Sequence, residues 1–159
     1  MVVQLVYLHQ KSNIDDQLLV FHKSRNSIIG KKEGRKLQLF HNLTENATDL
    51  KLLQNYKVGE NLLPIEEIPL KDIYFQKRHF LILLDSSGII PSNLPENSHL
   101  LLTGSPRINL ERILQKVQPI KIVADGSNFP SAVKRWRKTA QENDIPFHYT
   151  GEDGAYIIK

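Results

Sequence analysis

Three loops in the second half of the 159-residue chain gather the side chains that could act on a ligand: Asp85-Ser86-Ser87-Gly88, Thr103-Gly104-Ser105-Pro106 and Asp125-Gly126-Ser127-Asn128. Each follows a strand-sized apolar run, ending at Leu84, Leu102 and Ala124 respectively. If these runs are parallel neighbours, the loops meet at one sheet edge, where α/β folds place ligands. Asp85 and Asp125 would then supply carboxylates, enough for a weak magnesium site, and Ser127 and Asn128 would supply hydrogen-bond donors. The same residue types are ordinary turn and helix-cap formers. That plainer reading is the stronger one.

A second feature is charge. The segment after Asp125 carries Lys134-Arg135-Trp136-Arg137-Lys138. At about 100° per residue, Val133, Trp136 and Ala140 fall in one narrow arc and face a core. Lys134, Arg135, Arg137 and Lys138 spread over the opposite side. Such a face holds phosphates through salt-dependent contacts, although a basic helix face is more often only solvated. Lys31, Lys32 and Arg35 form a second candidate patch. Metal and nucleophile signals are thin. The six histidines show no His-x-His or His-x-x-His spacing, and cysteine is absent, which excludes thiolate metal sites and disulfides. The chain has neither a Gly-x-Ser-x-Gly elbow nor a phosphate-binding Gly-x-x-x-x-Gly-Lys loop. No resident cofactor or metal is expected.

The elements that must position these residues can be read from periodicity. Val2 to Leu8 is apolar and β-branched, a strand beginning at once, with no charged leader or cleavage site before it. This abrupt entry suggests a domain excised from a longer protein. Gln17–His22, Ser27–Ile29 and Leu37–Phe40, separated by polar turns, suggest an antiparallel meander. Thr44 or Thr48 would cap a helix running to Tyr56, with Leu50, Leu53 and Leu52 inward. Ile73–Phe75 and His79–Leu84 form a hairpin. Strands near Leu100, Ile120 and Pro146 alternate with a helix marked by Leu110, Ile113, Leu114 and Val117 and with one beginning at Pro130. Ala155–Ile158 closes the chain as a strand after Gly151-Glu152-Asp153-Gly154. The β-α-β-α-β order implies right-handed crossovers and parallel pairing. Residues 1–159 therefore read as one mixed α/β domain. Hydrophobic residues at 40 % suffice for one core, and 21 − 17 basic over acidic residues give a net charge of +4, compatible with an anionic partner. No apolar run approaches the roughly 18–20 residues that span a bilayer.

The run Ile122-Val123-Ala124-Asp125-Gly126-Ser127-Asn128, the Lys134–Lys138 helix, Ile145-Pro146-Phe147-His148 and the closing Gly151–Ile158 segment resemble the C-terminal metallo-β-lactamase-like domain of ComEC-type competence proteins. These are polytopic inner-membrane proteins that conduct transforming DNA. The resemblance implies an α+β fold, a truncated metallo-β-lactamase-like mixed sheet with flanking helices. Catalytic members are expected to carry a His-x-His-x-Asp-His cluster, which this sequence lacks, and a His-His-Gly-Ser loop, whose place is taken by Thr103-Gly104-Ser105-Pro106. Asp85 matches the carboxylate that bridges two metals in such enzymes. The resemblance thus implies the fold without its metal chemistry, a degenerate branch.

The function expected on this basis is a non-catalytic, extracytoplasmic domain of a DNA-uptake channel, anchored to the inner membrane through transmembrane segments of its parent protein. Lys134, Arg135, Arg137 and Lys138 would guide DNA electrostatically, without base specificity. Asp85, Asp125, Ser127 and Asn128 would be a vestigial sheet-edge site. The alternatives are a residual metal-dependent nuclease using Asp85 and Asp125, and a structural module that docks on the rest of its own polypeptide.

Overall fold

Two-residue turns set the first sheet. In the computed structural model, which describes residues 16–159, β1 (Gln17–Lys23), β2 (Asn26–Glu33) and β3 (Lys36–His41) form an antiparallel meander. Its turns are made possible by left-handed residues, Arg25 at φ 66° and Gly34 at φ 58°. The strand expected over Val2–Leu8 lies outside the described residues.

After β3, Asn46 accepts a hydrogen bond from the Thr48 amide and caps a single 3-10 turn, Ala47–Asp49. The helix proper, α1 (Lys51–Gly59), begins only after an extended Leu50. Neither Thr44 nor Thr48 is its cap, because the Asn46 side chain has already captured the turn. Leu53 is buried as expected, whereas Leu52 is 42 % exposed. A strand not expected from sequence, β4 (Glu66–Pro69), pairs in parallel with β3. Its acidic pair and its proline break any strand-like alternation, and a proline is tolerated there because β4 is an edge strand.

The second sheet follows the expected crossover pattern. β5 (Ile73–Gln76) and β6 (His79–Leu84) form the hairpin, and β7 (Ser98–Leu102), β8 (Lys121–Ala124) and β9 (Phe147–Tyr149) then add in parallel. The intervening helices are α2 (Leu110–Leu114), capped by Asn109, and α3 (Pro130–Glu142), opened by Pro130. The helix marked through Val117 thus stops after five residues, and Val117 is buried beyond its end. The last two strands part company. A short helix, α4 (Thr150–Asp153), occupies the expected turn, and β10 (Tyr156–Ile158) pairs antiparallel with β1 in the first sheet.

The strand orders are β10-β1-β2-β3-β4 and β5-β6-β7-β8-β9, two sheets that each mix parallel and antiparallel pairs. Alternation along the strands explains the layering. Leu18, Val20, Ile29 and Phe40 of the first sheet meet Leu81, Leu83, Leu101 and Val123 of the second. The opposite face of the second sheet, Ile82, Leu84, Leu100, Leu102 and Ile122, is covered by Leu110 and Leu114 of α2 and by Ala132, Trp136 and Ala140 of α3. Leu19, Phe21, Ile28, Leu37 and Leu39 are covered by Ala47, Leu53 and Leu62. The result is a helix–sheet–sheet–helix sandwich, the α+β architecture of metallo-β-lactamase-like folds.

A polar contact crosses this sandwich at the N-terminal end of β7. The Tyr156 hydroxyl hydrogen-bonds His99 Nδ1 at 2.7 Å, and His99 Nε2 lies 3.0 Å from His79 Nδ1. Burial, reinforced by the neighbouring His79 and Lys121 charges, holds the His99 pKa down to about 4. A neutral His99 satisfies both contacts if Tyr156 donates to Nδ1 and Nε2–H donates to His79. Because the folded pKa lies below the ordinary 6.5, the stability tied to neutral His99 is intact above about 6.5. It is lost as pH falls toward 4, where the unfolded chain binds the extra proton. His99→Gln should therefore flatten the loss of stability between pH 6.5 and 4 in urea titrations. A variant profile as steep as the parent's would place the acid sensitivity elsewhere.

Candidate functional site

The three polar loops do meet at one edge. Leu84 pairs with Leu102 and Leu102 with Ala124, all in parallel strands, so Asp85, Thr103 and Asp125 are successive neighbours just beyond the strand ends. With strands spaced about 4.8 Å apart, the backbones of Asp85 and Asp125 lie roughly 10 Å from each other on either side of Thr103.

The two aspartates make the same local turn in opposite surroundings. Asp85 Oδ1 accepts from the Ser87 amide at 2.9 Å and the Ser87 hydroxyl at 2.6 Å. Asp125 Oδ1 accepts from the Ser127 amide at 3.0 Å and, by a short contact, from the Ser127 hydroxyl. Both are Asp-x-Ser turns, in which the carboxylate takes donors two residues on. Asp85 is exposed, and the Ser87 hydrogen bonds hold its carboxyl below the usual range. Asp125 is fully buried, and its Oδ2 has no hydrogen-bond partner among the described residues. Desolvation raises its pKa to about 6, against the favourable Ser127 and Ser27 hydroxyls.

Ser127 and Asn128 close the edge. The Ser127 hydroxyl accepts from the Gly104 amide at 2.7 Å and from the Ser27 hydroxyl of β2 at 3.3 Å. Asn128 donates to the Leu102 carbonyl at 2.7 Å and accepts from the Ser105 amide at 2.8 Å. Gly104 and Ser105 are both left-handed, at φ 67° and 51°. This loop corresponds to the His-His-Gly-Ser position of the resemblance, and its two amides are already taken by side-chain oxygens from the neighbouring loop. The structure thus brings Asp125, Ser127 and Asn128 into one hydrogen-bonded knot and leaves Asp85 outside it.

Residues not singled out from sequence complete the knot. Arg25 in the β1–β2 turn donates its amide to the Gly126 carbonyl at 2.8 Å. A Cβ on Gly126 would sit 2.4 Å from the Lys23 carbonyl oxygen, so only glycine fits between the loop and that turn. His22 Nδ1 lies 3.0 Å from the Thr150 hydroxyl, which ties α4 to the same end of β1. Gly126 itself was legible as part of the loop. Its partners were not, because they lie a hundred residues away in the chain.

These residues do not fit a metal pair. Asp125 is buried with its Oδ1 committed to Ser127 and Asn128, and the exposed Asp85 has its Oδ1 committed to Ser87 on the other side of Thr103. Among the described residues no group of three His, Asp or Glu side chains stands as a ligand set.

The basic helix is divided. On α3, Val133, Trp136 and Ala140 are buried and Lys134 and Arg135 are exposed. Arg137 Nη2 pairs with Glu152 at 2.7 Å, and its guanidinium lies over the Phe147 ring. Lys138 reaches Glu142 at 3.8 Å. Lys134 and Arg135 have no carboxylate within ion-pair distance among the described residues. The second candidate patch is not a patch. Lys31 and Lys32 are consecutive in β2 and so point to opposite faces. Lys32 is 3 % exposed and pairs with Glu60 at 2.8 Å, Lys31 pairs with Glu33, and Arg35 is engaged with Asn61.

The buried carboxyl has a definite pH signature. With a folded pKa of about 6 against an ordinary 3.8, Asp125 contributes stability that is complete below about 3.8 and lost as pH rises through 6. Asp125→Asn keeps the acceptor for Ser127 and removes the charge. It should be more stable than the parent at pH 8, by on the order of 1–3 kcal/mol, with the gain vanishing near pH 4. Denaturant titrations at the two pH values check this; an equal difference at both would show that Asp125 ionises freely.

A scan against protein-family models matches residues 18–159 to the ComEC C-terminal domain. No curated protein and no solved structure matches the chain. Among the described residues no helix is long and apolar enough to cross a membrane. The match covers nearly the whole sandwich, both sheets and the loop edge included, and the chain therefore belongs to the ComEC C-terminal domain family, part of the membrane-protein machinery of DNA uptake in natural competence.

Proposed function

We propose that this domain is a non-catalytic, extracytoplasmic part of a ComEC-type DNA-uptake channel that guides DNA by phosphate contacts on α3. The observation that carries the non-catalytic reading is the state of the loop edge. Asp125, the one deep carboxylate there, is buried and bonded to its own loop, and the Gly104 and Ser105 amides are occupied by Ser127 and Asn128. A nuclease would need those groups turned toward a substrate or ion. The guiding reading rests on Lys134 and Arg135, exposed and with no carboxylate within ion-pair distance among the described residues, whereas Arg137 pairs with Glu152 and Lys138 with Glu142.

A labelled oligonucleotide titrated by fluorescence anisotropy at two salt concentrations tests this. Binding should weaken steeply with salt. The Lys134→Ala, Arg135→Ala double variant should lower the slope of log affinity against log salt by about 1.4 for a single strand, two contacts' worth. Affinity that ignores salt, or that is unchanged in the double variant, would count against guidance. Magnesium- or manganese-dependent cleavage abolished by Asp85→Ala would restore the nuclease alternative.

A second reading, a module docked on transmembrane channel segments of the same polypeptide, is favoured by the β5 edge. Ile73 and Phe75 are 50 % and 52 % exposed, and the Phe75 ring lies tilted against Phe80 with centroids 5.1 Å apart. An uncovered apolar edge strand invites pairing or burial. Phe75→Lys should leave the isolated domain's stability within about 0.5 kcal/mol while abolishing DNA uptake in a transformation assay. Normal uptake would show that this edge stays in water.

A further inference from the structure

Phe129 breaks two local rules at once. It occupies the N-cap of α3, where Ser, Thr, Asp or Asn would bond the first free amides, and its side chain makes no such bond. It also holds an aromatic ring 70 % exposed, more than Phe75 on the open β5 edge. Neither feature helps the domain fold: one forgoes a cap and the other leaves an apolar ring in water. Rule-breaking without a packing reason is expected at functional or strained positions.

The backbone around the ring is held firmly. The Phe129 amide donates to the Ser105 hydroxyl at 2.7 Å, so the ring projects from the junction of two stitched loops. Arg107 follows two residues after Ser105 and is exposed. Arg25 is exposed as well and sits at φ 66°, a left-handed conformation that disfavours any side chain and is fixed here by its bond to Gly126. Three connections therefore bring Arg25, Phe129 and Arg107 to one rim: Arg25 to Gly126, the loop 126–129, and Phe129 to Ser105. Lys134 and Arg135 continue the positive surface along α3. None of these four cations has a carboxylate within ion-pair distance among the described residues.

We propose that this rim is a binding surface for single-stranded DNA, with Phe129 as a base-stacking platform and Arg25 and Arg107 holding the phosphates on either side. An exposed ring on a rim that also carries exposed arginines suits a strand whose bases are unpaired, since stacking needs a free base face that a duplex hides. Stacking on a ring takes any base, since every base has a π-face, so the surface is expected to be indifferent to sequence. The proposal rests on the DNA-guiding reading and refines it, by selecting one strand over two and naming the ring that does so.

The test is anisotropy of a labelled oligothymidylate and of a duplex of the same length, with the whole chain, its Phe129→Ala and Phe129→Trp variants, and the Lys134→Ala, Arg135→Ala double variant. The ring is exposed, so its replacement should leave the urea midpoint in place. Phe129→Ala should weaken single-strand binding about fivefold or more, leaving duplex affinity and the salt slope unchanged. Phe129→Trp should restore binding and show quenched emission when the oligothymidylate is added. Equal single-strand affinity in the parent and Phe129→Ala, with the double variant impaired, would overturn the stacking platform and leave guidance standing. Equal losses for single strand and duplex in Phe129→Ala would overturn the strand preference. No DNA binding by the parent at low salt would overturn both.

Discussion

The two sheets are held at their loop edge by a buried carboxylate and a glycine that admits no side chain. Asp125 orders Ser127, Ser127 receives Gly104 from one neighbouring loop and Ser27 from the facing sheet, and Gly126 lets the β1–β2 turn approach to backbone contact. Hydrophobic packing between the sheets sets their separation, but it is non-directional. The knot at Asp125 supplies direction. It fixes the Gly104–Ser105 backbone in a left-handed pair, positions Phe129 through Ser105, and pins the turn that carries Arg25. The rim with its exposed groups is a consequence of that joint.

The same joint shows how one local turn takes on two characters at a single sheet edge. In the Asp-x-Ser turns of Asp85 and Asp125, identical local chemistry meets water in one case and protein in the other, and the carboxyl pKa values move in opposite directions. At the far end of the sandwich His99 is also buried and held neutral. Between about pH 4 and 6 the two buried groups pull stability in opposite senses, His99 favouring higher pH and Asp125 lower. Both lie where hydrogen bonds cross from one sheet to the other.

Much of the architecture was legible because it follows from local periodicity. The β1–β3 meander, the β5–β6 hairpin, the parallel strands and the Pro130 helix with Trp136 inward all stand where apolar spacing and turn residues put them. What was misread depended on competition or distance. Asn46 outcompeted the threonines for the turn before α1. β4 has no strand pattern and exists because β3 offers an edge. β9 and β10, adjacent in sequence, separate because each finds its partner in a different sheet. Lys31 and Lys32 looked like a patch because a one-letter run hides the two faces of a strand.

The loop edge shows the same division. Sequence alone determined which residues would gather there, since parallel strands of matched length must end together, and it determined the family through the segments that surround Asp125. Whether those residues face a ligand or one another was decided only by the tertiary structure. A carboxylate's burial and the partners of its hydroxyls depend on the β1–β2 turn, a hundred residues away, and on the one position where that turn and the loop meet without a Cβ between them.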